Sequence, residues 1–159
     1  MNFKNEEYDI IFLGLAQNCE KFLPNFFKKI DQISLRKKIK VFIGENGSED
    51  YTLDLIQKKI ILSDVYSFID TTFIENYSDR IKRLAKARQT LKDNFTRLNI
   101  KSKYVCVVDL DDVINEIFDY HLINNLTDKL ENYKDKYFGI SLSSKPYYYD
   151  ILNFESEEF

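Results

Sequence analysis

The chain has 159 residues, 44% of them hydrophobic, with a formal net charge of −3. That is enough length for one domain with a real core, and no global basic field recruits nucleic acid or an anionic membrane. The longest early apolar run, Ile10 to Ala16, is too short to span a bilayer, and Glu6, Glu7 and Asp9 precede it where a signal peptide is basic.

Taken in order, Ile10 to Ala16 reads as a first buried strand closed by Gln17 and Asn18. Phe22, Leu23, Phe26, Phe27, Ile30 and Ile33 then recur at helical spacing, with Pro24 in the first turn. Lys37 to Lys40 reads as a solvated basic link. Val41 to Ile43 form a second strand that ends in Gly44, Glu45, Asn46, Gly47, Ser48, Glu49, Asp50, Tyr51 and Thr52. Gly47 permits positive φ, Ser48 is placed to cap the next helix, and Glu49 and Asp50 suit the positive end of its dipole. That helix is expected over roughly 49–60. A third strand is expected over 65–73, from its β-branched and aromatic content, followed by a polar link over 76–79. From Asp79 to about Leu98 the pattern is helical, with a stripe at Ile81, Leu84, Ala85, Arg88, Leu91 and Phe95. Arg88 falls on the apolar face, where a guanidinium needs an anionic partner, either a protein carboxylate or a bound diphosphate. Arg80 and Arg83 lie nearby on the same helix.

Tyr104 to Val108 is an apolar strand that ends in Asp109, Leu110, Asp111 and Asp112. Alternation sends Asp109 and Asp111 to one side and turns Leu110 back into the packing. Carboxylates at the C-terminal tip of a buried strand stand where open α/β sheets bind ligands, and hard cations such as Mn²⁺ or Mg²⁺ take oxygen ligands. Beyond this strand, 113–133 is mostly helical in spacing, 137–142 reads as another strand, and the lone His121 reads as a packing or surface residue. Cys19 and Cys106 fit a reduced, cytoplasmic setting. The 13 Phe and 11 Tyr are expected mainly in the core.

The alternation of strands and helices implies an α/β fold: one mostly parallel, Rossmann-like sheet with helices on both faces, in a single domain over 1–159. Three polar strand ends, at Gln17 and Asn18, at 45–50 and at 109–112, then open on one edge. Gly14 stands alone after the first strand, which disfavours a dinucleotide cofactor or a P-loop nucleotide.

In four places, in order, these residues resemble the metal-dependent glycosyltransferases of the A-type fold (GT-A). The first strand leading to Asn18, Glu20 and Leu23 is similar to their nucleotide-side opening. Glu45, Asn46, Gly47 and Ser48, with Asp50 and Thr52, look like their acidic Gly-Ser-x-Asp-x-Thr turn. Leu84 to Gln89, with Ala87 and Arg88, resembles their Ala-Arg-Asn helix, with Gln89 standing for Asn. Asp109-Leu110-Asp111-Asp112 resembles their DxD signature. Arg80, Leu84 to Arg88, Tyr148, Tyr149 and Asp150 are also reminiscent, more weakly, of capsule-associated mannosyltransferases.

The resemblance implies transfer of a sugar from a nucleotide-diphosphate sugar to a hydroxyl on a glycan or lipid-linked acceptor. It implies that Asn18, Glu45, Asn46 and Asp50 line the nucleotide side, that Arg80 and Arg88 face the diphosphate, and that Asp109 contacts ribose or sugar. Asp111, with Asp109 and Asp112, would hold Mn²⁺ or Mg²⁺. The family's C-terminal acceptor part is short or absent here, and among the late carboxylates Asp135, Asp150, Glu155, Glu157 and Glu158 nothing selects a base. Two other readings stand beside this one. One is a non-catalytic nucleotide-sugar-binding domain or truncated fragment. The other is a phosphatase of the haloacid dehalogenase type with Asp109 as nucleophile.

Overall fold

The structure, a computed structural model, describes residues 6–110, 119–135 and 139. Asp111, Asp112, Asp150, Glu155, Glu157, Glu158, Tyr148, Tyr149 and the strand expected over 137–142 lie outside the described residues. The chain divides into two compact units, Met1–Ile123 and Asn124–Phe159.

In the first unit four parallel strands, β1 (Glu7–Ala16), β2 (Ile39–Glu45), β3 (Tyr66–Asp70) and β4 (Lys101–Asp109), form one sheet in the order β3-β2-β1-β4. Helices α1 (Leu23–Ser34), α2 (Thr52–Leu62) and α3 (Arg80–Arg97) connect them, and α4 (Tyr120–Asn132) follows. The expected α/β class with helices on both faces is what is observed. Alternation along the central strand builds two cores. Ile10, Phe12 and Ala16 of β1 pack with Val41 and Ile43 of β2 against Leu23, Phe26, Ile30 and Ile33 of α1 and Ile56 of α2. Ile11 and Leu13, with Phe42, pack on the other face against Leu91 of α3 and Ile100. Each such side chain contributes about 1.5–3 kcal/mol on burial, which is why these runs set the fold.

Several boundaries move for identifiable reasons. β1 starts at Glu7 because Glu7 and Tyr8 register with Lys101 and Ser102 of β4. The supposed basic link enters β2, and Lys40 is buried with its Nζ on the Asp64 carbonyl. β3 stops at Asp70, whose carboxylate accepts from Thr72 N at 2.9 Å and opens a 3-10 turn over Thr72–Asn76. α2 starts at Thr52 rather than Glu49, since Glu49 N donates to Asn18 Oδ1 at 2.9 Å and is drawn out of the helix.

The stripe on α3 is also corrected. Ala87 and Leu91 are buried and Leu84 and Phe95 partly so, whereas Ile81, Ala85 and Arg88 are exposed. The helix is rotated toward its 84-87-91 face because it covers β1 and β2, leaving Val105 and Val107 of β4 open as well. No described helix is long and apolar enough to cross a membrane. In the second unit the described residues continue α4, with Asn124 Nδ2 donating to Asp128 Oδ2 at 2.9 Å and Lys134 near Glu131 at 3.8 Å.

Candidate functional site

All four strands point the same way, so their C-terminal ends share one edge, the position at which open parallel sheets bind ligands. Two of those ends are stitched to each other. Asn46 N donates to the Ala16 carbonyl at 3.1 Å, and Gln17 Nε2 donates to the Asn46 carbonyl at 3.0 Å. Asn18 takes a positive φ of 54°, which its short polar side chain tolerates, and its N–H donates to Ser48 Oγ at 2.9 Å. Cys19 N donates to the buried Thr52 Oγ1 at 2.7 Å, and Glu20 N to Asp50 Oδ2 at 3.1 Å. In return Tyr51 N donates to Glu20 Oε2 at 2.9 Å.

Ser48, Asp50 and Thr52 therefore hold the loop after β1. Ser48 does not cap α2, whose first residue follows Tyr51 with no side-chain cap bond. Burial pushes the Asp50 carboxyl up, but bonds from the Thr52 side chain and from the N–H groups of Thr52 and Glu20 outweigh it. The carboxyl sits below the usual carboxylate range.

Glu45 is 2% exposed, and its carboxylate is taken up by its own turn: Oε1 accepts from Ser48 N at 2.6 Å and Oε2 from Gly47 N at 3.1 Å. Gly47 adopts a φ of 67°, the left-handed region that favours glycine, and the exposed Glu75 carboxylate stands 3.0 Å from where a Cβ would lie. The buried Thr71 fastens the ends of β2 and β3, its N and Oγ1 both donating to the Glu45 carbonyl at 2.9 and 2.8 Å. Among the described residues, Asn46 Oδ1 is buried without a hydrogen-bond partner. It is an acceptor left over by this scaffold.

At the end of β4, Leu110 packs against Gly14, where a Cβ would come within 3.0 Å of it, and Asp109 projects to the α3 face beside Leu15 in register. Arg88 of α3 reaches over and donates from Nη2 to Asp109 Oδ1 at 3.1 Å. The side chains are 46% and 48% exposed, so the expected buried guanidinium is instead an accessible ion pair. Helix rotation is the cause, as above. Arg80 opens α3 next to the N-cap Asp79, which accepts from Ile81 N and Lys82 N, and stands about 12 Å along the helix from Arg88. His121 is an exposed surface residue lying edge-on to Tyr120. Burial raises the Cys106 thiol to about 11, which keeps it protonated at neutral pH.

The described residues contain no cluster of three metal-ligating side chains. Asp109 is the described member of the expected cation site, and Arg88 engages it.

No protein-family model matches the sequence, and no curated protein matches it. Among solved structures, residues 1–349 of S. aureus TarS, a glycosyltransferase, superpose with a TM-score of 0.55 at 13% identity. The fold is glycosyltransferase-like. The superposition covers 85% of this chain and 39% of the TarS 1–349 chain, so the chain spans about two-fifths of the length of that neighbour. At this identity the shared property is the fold.

Proposed function

We propose that the chain is the donor-binding domain of a glycosyltransferase and takes a nucleotide-diphosphate sugar at the carboxyl edge of the sheet. The observation that carries this reading is the pairing of Asp109 with Arg88 at that edge of a glycosyltransferase-like fold. An exposed ion pair is worth about 0–1 kcal/mol, so both partners are cheaply released to a ligand. Arg88 would then turn to the diphosphate, offsetting the charge that grows on the departing nucleoside diphosphate, while Asp109 would accept from a ribose or sugar hydroxyl. Arg80 would meet the diphosphate from the first turn of α3. Asn46, with an unused acceptor, and Asn18 would line the nucleotide, and Glu45 and Asp50 would hold the turns that present them. Asp111, with Asp109 and Asp112, would ligate Mn²⁺ or Mg²⁺. When bound, that cation supplies further neutralisation of the phosphates. The acceptor is a hydroxyl on a glycan or a lipid-linked glycan.

Calorimetric titration of UDP-sugars and GDP-sugars, with Mn²⁺ and with chelator, tests this. The expected result is metal-dependent binding of one nucleotide sugar that Asp111→Asn abolishes. A folded protein that binds none of them under any condition overturns the assignment. The alternative expected from the sequence is a donor-binding domain without turnover. It predicts the same titration with no release of free sugar or nucleoside diphosphate.

A further inference from the structure

The first turns of α3 carry charges that the fold does not use. Phe95 packs on Phe42 of β2 with ring centroids 6.4 Å apart, and Leu91 Cδ2 lies 3.1 Å from where a Cβ on Gly44 would stand. α3 therefore runs along β2 against the direction of the strand, and β2 ends one residue after Gly44. Arg80 to Lys86, about 10 Å of helix, stand past the carboxyl edge, and of these residues only Arg83 and Leu84 are even half-buried.

This projecting piece holds Arg80, Lys82, Arg83 and Lys86. Residues three and four apart are neighbours on a helix, so Arg80 with Arg83, Arg83 with Lys86 and Lys82 with Lys86 join into one patch. Neighbouring like charges, and cations at the positive end of the helix dipole, both work against the helix. The fold gains nothing from the arrangement. The acids around it are engaged elsewhere: Asp79 accepts from Ile81 N and Lys82 N at 2.8 and 3.2 Å, Asp70 from Thr72 N, Asp93 from Gln89 Nε2 and Asp109 from Arg88. The exposed Glu75 stands by the turn at Gly47. Among the described residues, no carboxylate lies within ion-pair distance of any of the four cations.

We propose, on the donor reading of the same edge, that this patch binds the acceptor and that the acceptor is a glycan bearing an anionic group, phosphate or carboxylate. Arg80 and Arg88 match the charge of the donor diphosphate, which leaves Lys82, Arg83 and Lys86 for a second anion. Asp79 occupies the N–H groups of Ile81 and Lys82, so the side chains are the binding groups. Ammonium and guanidinium groups take oxyanions in short, charge-assisted hydrogen bonds. A bilayer or a nucleic-acid duplex fits the charges worse. Either is a broad anionic surface, and the same edge exposes Glu49, Asp70, Glu75 and Asp109 to it. An anionic group on a flexible glycan reaches the cations without approaching those acids.

The test titrates dextran, dextran phosphate and carboxymethyl dextran into the full chain, beside the nucleotide sugars. Wild type is expected to bind an anionic dextran, more weakly as salt rises, and not unmodified dextran; which of the two binds tells phosphate from carboxylate. Lys82→Ala/Lys86→Ala is expected to bind it at least about tenfold more weakly, with unchanged thermal melting and unchanged nucleotide-sugar titration, while Lys82→Arg/Lys86→Arg retains it. Nucleotide-sugar binding without anionic-dextran binding, undiminished binding by the alanine variant, or equal binding of unmodified dextran overturns the proposal and leaves the donor reading standing. Tighter binding of oligothymidylate or of phosphatidylglycerol vesicles overturns it in favour of a nucleic acid or a membrane. Absence of nucleotide-sugar binding removes the donor reading, and the acceptor assignment with it.

Discussion

Gly44 shows how much of the edge depends on single atoms. A Cβ at this position would lie 2.9 Å from Leu15 Cδ2, 3.0 Å from Thr71 Cγ2 and 3.1 Å from Leu91 Cδ2, where β2 passes under α3. Leu15 and Leu91 side chains can shift their ends, but Thr71 is fixed by its two bonds to the Glu45 carbonyl. Gly44→Ala is therefore expected to cost about 1–2 kcal/mol, read as a lower urea midpoint at unchanged slope. At this scale the sequence announced the polar residues of the site but not their employment. Ser48 looked like a helix cap and Asp50 like a partner of the helix dipole; Asp50 does accept from Thr52 N at 3.0 Å at the start of α2, but both residues also hold the loop after β1. Their partners in that loop lie 30 residues away in the chain, beyond the reach of any local pattern.

Among the elements, α1, α2 and β3 are joined by one polar cluster inside an otherwise apolar layer. Tyr66, buried at the start of β3, donates to Asp31 Oδ1 at 2.9 Å, and Lys59 of α2 meets Asp31 Oδ2 at 2.5 Å. Burial, and then the Asp31 carboxylate, raise the Tyr66 phenol well above its ordinary range, so it stays protonated and can donate to Asp31. Tyr66→Phe keeps the edge-on contact with Phe27 and loses the bond to a charged acceptor, with an expected destabilisation of about 1.5–3 kcal/mol in thermal or urea unfolding. α1 was legible as a helix and in its buried face, because Leu23, Phe26, Phe27, Ile30 and Ile33 recur at helical spacing, while Phe22, grouped with them, precedes the helix as its N-cap. α3 was legible as a helix but not in its rotation. Both Arg88 and Ala87 lie close to an apolar face, and only the position of the helix over β1 and β2 selects between them.

For the molecule as a whole, the carboxylates of Asp9, Asp50 and Asp70 sit below their ordinary value of 3.8. The N–H of Lys38 lowers Asp9 and that of Thr72 lowers Asp70, while at Asp50 burial is outweighed by the bonds from Thr52 and Glu20. The folded state thus binds fewer protons than the unfolded chain in this range. The stabilisation is complete above pH 3.8 and is lost as pH falls through the lower folded values. Lys40 works in the other direction: burial lowers it, against the pull of Asp64 and Glu6, so stability rises as pH climbs from its folded value toward 10.5. Urea midpoints measured against pH are expected to fall in acid, less steeply in Asp50→Asn/Asp70→Asn. In alkali the raised Cys106 thiol and Tyr66 phenol lose stabilisation as pH climbs past their ordinary values of 9.0 and 10.0 and so oppose Lys40, and Lys40→Met is expected to steepen the alkaline fall relative to wild type.

Hydrophobic periodicity determined by itself that this is an α/β chain with one parallel sheet, that its polar strand ends share an edge, and that Leu110 turns inward beside Asp109. Those features follow from which side chains must leave water, and a local pattern records that. Tertiary structure alone decided which polar groups are consumed in joining the loops, which way α3 faces, and that Arg88 meets Asp109 in the open. It also decided that Leu35, Ile61 and Leu62 remain uncovered. The reason is common to all four: each depends on what stands opposite a side chain in space, and the partner comes from a distant part of the chain or is missing.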